Sequence, residues 1–252
     1  MAAAIGWGAL AASSLVIGAL LAFARDWSGR QTGTVLAFGA GALISAVSFE
    51  LVEEGTQVAG LSWVALGLAI GAVTYFVADD AVSNRGKHGG RGRSGRTPDA
   101  VGEGGRGAPG AGTALALGAF LDGIPEQMVL GIGLAAGEGV GVGLIVAIFV
   151  SNLPEAIGSA NEMRAAHTAR RHILRLWVAV ATICMLATVA GYAIADVASP
   201  EARAVIDGFA GGALLVMLID SMIPDATKDA GRIAGLVTVL GFAVAFALSS
   251  VT

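Results

Sequence analysis

Two short stretches carry the residues whose types and spacing could do chemistry. In FLDGIPEQMVLGIGLA (120–135), Asp122 and Glu126 stand one helical turn apart around Pro125, and in FVSNLPEAIGSA (149–160), Ser151, Asn152 and Glu155 surround Pro154 in the same way. On a helix, side chains three or four positions apart share a face, so each stretch presents one polar stripe. A proline inside a helix removes a backbone hydrogen bond and crowds the carbonyl one turn back. Pro125 and Pro154 therefore free the carbonyls of Leu121 and Val150 beside those stripes. Two such stripes turned toward each other gather carboxylates, an amide, a hydroxyl and loosened carbonyls. That collection of hard oxygen donors is a cation site, suited to Mn²⁺, Mg²⁺ or Ca²⁺ and less committed to Zn²⁺ than a site containing imidazole.

The setting makes such a set costly. Hydrophobic residues form 55% of the 252-residue chain and charged residues 13%, with a mean hydropathy of +0.76. That is too little polar surface for a water-soluble globule, and it marks an integral membrane protein. An acidic residue at the centre of a membrane helix costs about 2.5–3.5 kcal/mol, whereas an interhelical hydrogen bond there returns about 0.6 kcal/mol. Gluing helices together does not account for Asp122, Glu126 and Glu155. Clustered carboxylates also repel one another unless they are protonated or bridged by a cation.

The elements that must position these residues are apolar runs of about 20 residues, the length that crosses a bilayer as a helix. Eight occur, at 6–23, 35–51, 62–77, 113–135, 140–162, 173–195, 205–223 and 233–250. They are continuous rather than alternating, which predicts an all-α bundle and not a barrel. The first run has no Lys or Arg before Arg25, so it reads as a retained helix and not a cleaved signal. Threading eight spans places fourteen of the fifteen Lys and Arg on one side and only Arg203 on the other. By the positive-inside rule both termini lie outside. Residues 79–112, rich in Gly and in basic residues, form a flexible cytoplasmic loop within a single transmembrane domain spanning 1–252. His88 in that loop reads as solvated, and His167 and His172, beside Arg170 and Arg171, belong to the positive belt. The lone Cys184 excludes an intramolecular disulfide and a thiolate cluster and reads as packing.

Two internal resemblances organise the runs. FGAGALISAVSFELVEE (38–54) aligns without gaps on FAGGALLVMLIDSMIPD (209–225), and DGIPE (122–126) aligns on SNLPE (151–155). By the charge argument the members of each pair run in opposite directions, the pattern of an inverted repeat with a site near the midplane.

Eight helices grouped 3+2+3, a basic loop after the third, and Pro125-Glu126, Pro154-Glu155 and LIDSMIPD (218–225) resemble the ZIP family of divalent-metal transporters. The resemblance implies alternating-access movement of a divalent metal ion such as Zn, Mn, Fe or Mg toward the cytoplasm, often by a homodimer. It implies no enzyme activity, no organic cofactor and no nucleic-acid partner; the partners are the metal and the lipid bilayer. The family usually has His and Asn where this chain has Asp122 and Gly123, and His or Gln near Ser151 and Asn152. It can add a glutamate in helix 6, where this chain has no acidic residue from 173 to 195. The expected site is therefore one metal position held by Asp122, Glu126, Asn152 and Glu155, with Ser151 as a fifth ligand. Asp220, where the family commonly has His, and Asp225 are expected along the transport pathway, with Glu50, Glu53 and Glu54 forming an acidic outer mouth. A metal-binding membrane protein without transport is the alternative. An intramembrane aspartyl protease using Asp122 and Asp220 is disfavoured, since no Gly-x-Gly-Asp context occurs. The excess of Arg over Lys, with abundant Ala and Gly, suggests a bacterial cytoplasmic membrane.

Overall fold

The computed structural model describes residues 1–88, 111–136 and 142–250; of residues 81–88, 111–122, 136, 142 and 196 it describes the backbone alone. The described residues form helices and no strand. In order these are α1 (Ala2–Ala24), α2 (Gly29–Ala46), a π-helical stretch (Val47–Glu53), α3 (Glu54–Ala59) and α4 (Leu61–His88). They continue with α5 (Ala111–Ala136), α6 (Val142–Ala165), α7 (Arg170–Val197), α8 (Pro200–Met217), a second π-helical stretch (Leu218–Met222), α9 (Ile223–Ala230), a 3₁₀ turn (Gly231–Ile233) and α10 (Ala234–Ser249).

Among the described residues, six stretches are long and apolar enough to cross a membrane: Ala2–Ala24, Gly29–Ala59, Leu61–Asp80, Gly143–Ala165, Arg170–Ala195 and Pro200–Ser249. The seventh and eighth runs of the sequence fall inside the last of these, and the fourth falls on α5. Helix α4 is described as far as His88, inside the start of the basic stretch. The rest of the expected loop, 89–110, lies outside the described residues.

Local chemistry sets the boundaries. Ser28 accepts the Gln31 N–H while the Gln31 side chain accepts from the Ser28 N–H, a reciprocal cap that starts α2. Ser199 accepts the Ala202 N–H ahead of Pro200 and starts α8. Gly60 (φ +92°) and Gly231 (φ +64°) end α3 and α9 in backbone conformations that a side chain would strain.

These features recur at one sequence offset. The same spacing separates Ser28 from Ser199, Phe38 from Phe209, Gly41 from Gly212, the first π residue Val47 from Leu218, and Gly60 from Gly231. Packing follows the same correspondence. Gly41 lies against the Thr238 carbonyl and Gly241 against that of Phe38, where α2 meets α10; Gly212 lies against the Leu68 carbonyl and Gly71 against that of Phe209, where α8 meets α4. Small residues bring these backbones together, as is usual where no hydrophobic driving force separates helix from lipid.

The closest packing joins α4 to α8, α2 to α10, α9 and α6, α5 to α7 and α6, and α1 to α6 and α7, with α8 also packing on α5. A Cβ on Gly41 would collide with backbone atoms of Thr238 and Phe242, whereas one on Gly6 meets nothing within 4 Å. Gly41→Ala is therefore expected to cost about 1–3 kcal/mol through overpacking, and Gly6→Ala to be neutral or stabilising by up to about 1 kcal/mol. Thermal midpoints in detergent check the contrast; equal midpoints for the two variants would refute the close approach of α2 and α10.

Candidate metal centre

Pro125 lies inside α5 and Pro154 inside α6, and both helices continue through them. Near the two prolines the structure brings Ser151 of α6 and Glu126 of α5 together in the protein interior. The Ser151 hydroxyl lies 3.3 Å from Glu126 Oε1 and 3.1 Å from the Ile148 carbonyl. A hydroxyl has one proton, so these two long contacts share it and the Ser151 lone pairs stay available. Glu126 and Asn152 are each 1% exposed and Ser151 is fully buried. Neither Nδ2 nor Oδ1 of Asn152 has a hydrogen-bond partner among the described residues. A buried amide with both polar atoms unmatched costs about 1–3 kcal/mol, which is the cost expected of a side chain kept for a ligand. Glu155, one turn beyond Asn152, is partly buried with its Oε2 inside the protein. The side chain of Asp122 lies outside the described residues.

Neighbouring helices hold this arrangement in place. Gly39 of α2 leaves no room for a side chain, since a Cβ there would sit 2.9 Å from Ser151 Cα and 3.1 Å from the Met222 methyl. On the α7 side, a Cβ at Gly123 would come within 2.8 Å of Cys184 Sγ, and both Glu126 and Glu155 act electrostatically on that thiol. The thiol read from the sequence as packing thus packs beside the carboxylates. One turn along, Thr188 donates to Gln127 Oε1 at 2.6 Å, with both side chains fully buried. Gln127 and Thr188 were not singled out in the sequence. Their signal was there in the Gly123, Gln127, Gly131 spacing, which lines one face of α5 against α7. Among the described residues no three of His, Cys, Asp and Glu converge as a metal cluster.

The residues expected along the pathway lie elsewhere. Glu50, in the first π stretch, accepts from Ser249 Oγ at 2.7 Å and from the backbone N–H of Leu144, and so ties that stretch to the start of α6 and the end of α10. A carboxylate at a helix N-terminus is favoured by its free N–H groups and dipole. Glu53 and Asp225 are exposed and Glu54 is partly buried. Asp220, in the second π stretch, is exposed and lines a groove of ≈ 720 Å³ between α4 and α8 with Ala69, Phe76 and Ile219, and it acts electrostatically on Asp79. π-helical turns recur at functional positions, and the two here carry three of the acids expected along the pathway, Glu50 and Glu53 in the first and Asp220 in the second.

An all-helical, multi-pass membrane protein with buried polar residues facing one another across two proline-containing helices is the class that fold and site define. No family model matches the chain. It is 26% identical over 223 residues to a protein of Arabidopsis thaliana named "Putative zinc transporter", an alignment covering 87% of this chain and 34% of that protein. The chain spans about a third of the length of that relative. The long apolar helices support a multi-pass membrane protein.

Proposed function

We propose that the chain is a ZIP-type divalent metal cation transporter, working by alternating access through one oxygen-ligand position between α5 and α6. The observation that carries the reading is the buried meeting of Ser151 with Glu126, beside an Asn152 amide that has no partner among the described residues. Asp122 and Glu155 complete the ligand set. The metal is cargo: it sheds water into the carboxylates and leaves when they are protonated or exposed to the other side, because metal and proton compete for the same oxygens. The group α1, α5, α6 and α7 carries the ligands. The group containing α2, α4, α8 and α10 is the body against which it moves, as in transporters built from repeats. We assign eight spans in a 3+2+3 inverted repeat, both termini outside, to a bacterial cytoplasmic membrane, with the basic loop inside and a homodimer as the working assembly. Glu53, Glu54 and Glu50 line the outer mouth, and Asp220 and Asp225 the inner route.

Uptake of a metal panel into proteoliposomes tests this. Saturable uptake of Mn²⁺ and Zn²⁺, falling as external pH falls, is expected, because protonated carboxylates do not bind metal. No divalent uptake above that of empty liposomes refutes the transporter reading. Calorimetric metal binding without uptake would leave the sensor-like alternative in its place.

A further inference from the structure

We propose that the arginines gathered where α1, α6 and α7 reach the membrane surface form a binding site for the phosphate headgroups of anionic phospholipids. Three apolar spans, Ala2–Ala24, Gly143–Ala165 and Arg170–Ala195, have an end here, so the cluster lies at the edge of the hydrocarbon layer. Its scaffold is aromatic. The Arg164 and Arg170 guanidinium groups lie 5.4 and 4.9 Å from the centre of the same Phe23 ring, and that of Arg25 lies 4.2 Å from Trp27. Trp27 is pinned in turn by its Nε1–H, which donates to the Leu21 carbonyl at 3.1 Å. Aromatic rings of this kind favour the headgroup level, where an apolar body and a polar edge are both accommodated.

Among the described residues the charges around these rings are only partly balanced. Arg164 is engaged, donating to the Ala22 carbonyl and to Asn161 Oδ1 and lying 3.7 Å from the fully exposed Asp26. Arg25, Arg170, Arg171 and Arg175 are exposed and have no salt-bridge partner among the described residues. Arg171 and Arg175 sit one turn apart on α7 and repel. The first turn of α7 also carries no acidic residue, and Ala169 supplies no side-chain cap. Arginines at the positive end of a helix are the wrong sign for its dipole, so an external anion relieves several unfavourable terms at once. Guanidinium forks match phosphate oxygens in pairs, which suits a phosphodiester headgroup held at the depth of Phe23 and Trp27.

Native mass spectrometry of the full chain, with phosphatidylglycerol against phosphatidylcholine, reads this directly. Selective retention of phosphatidylglycerol is expected. It should be weakened roughly a hundredfold by Arg170→Gln, Arg171→Gln and Arg175→Gln together, and by less when all three are changed to Lys, which keeps the charge but loses the guanidinium fork. Circular dichroism establishes that the variants fold; if the triple Gln variant does not, Arg171→Gln alone should weaken retention about fivefold. Equal retention of the two lipids, or retention unchanged in a folded Gln variant, overturns the proposal. So does displacement of the lipid by millimolar inorganic phosphate, which would mark a site for a soluble anion.

Discussion

Glu126→Gln is expected to lower metal uptake by at least about a hundredfold while leaving the protein folded. Gln has the shape of Glu and keeps an Oε1 acceptor for the Ser151 hydroxyl, which lies 3.3 Å away, so the contact between α5 and α6 survives. What the substitution removes is the negative charge. Altering residues that only support a metal's ligands typically costs 10–100-fold in affinity, and a charged ligand of a hard cation contributes at least as much. If Glu126 were glue between helices, the amide would serve as well as the carboxylate, because both accept the hydroxyl proton. Glu155→Gln is expected to follow Glu126→Gln. Full uptake in both variants, measured in the same proteoliposomes, removes the case for a carboxylate site.

Asn152→Leu is expected to separate stability from transport. Leu has the same branching and number of heavy side-chain atoms as Asn and brings no polar atom into a position that is 1% exposed. Since neither Nδ2 nor Oδ1 has a partner among the described residues, the substitution relieves a buried, unmatched amide. The thermal midpoint should then hold or rise, by the equivalent of about 1–3 kcal/mol at most. Metal uptake should fall at least about tenfold, because an oxygen ligand is gone. An amide that merely bonded helix to helix predicts the reverse pattern, a lowered midpoint with uptake intact. That pattern would move Asn152 out of the site. Excess metal gives a second readout, since an ion at about a hundred times its dissociation constant stabilises the state that binds it by about 2.7 kcal/mol. The wild type should show this rise in midpoint and Asn152→Leu should not.

Much of the architecture was legible because its determinants are local. Composition alone places the chain in a membrane, and the apolar runs match helices to within a few residues at α1, α7 and α10. The Phe38 and Phe209 segments align by eye, and the structure gives them equivalent neighbours, Gly241 and Gly71. What the alignment did not show was that both segments switch to π-helical geometry at corresponding residues, Val47 and Leu218. An extra residue in a turn leaves no mark in hydropathy. The polar stripes of α5 and α6 were legible for a simple reason, since polar residues stand out against lipid-soluble surroundings.

The sequence by itself determined the class of protein, its apolar helical runs and a short list of residues able to bind a cation. Only the tertiary structure decided which faces meet: that Ser151 reaches Glu126, that Cys184 packs at Gly123 beside the carboxylates, that Gln127 pairs with Thr188, and that Asp220 lines an open groove against α4. The physical reason lies in the solvent. In water, the apolar stripe of a helix points to the core and reveals its orientation. In lipid, the outward face is as apolar as the inward one, so helices such as α1 and α4 carry no such mark, and rotation is settled by glycine contacts between distant helices.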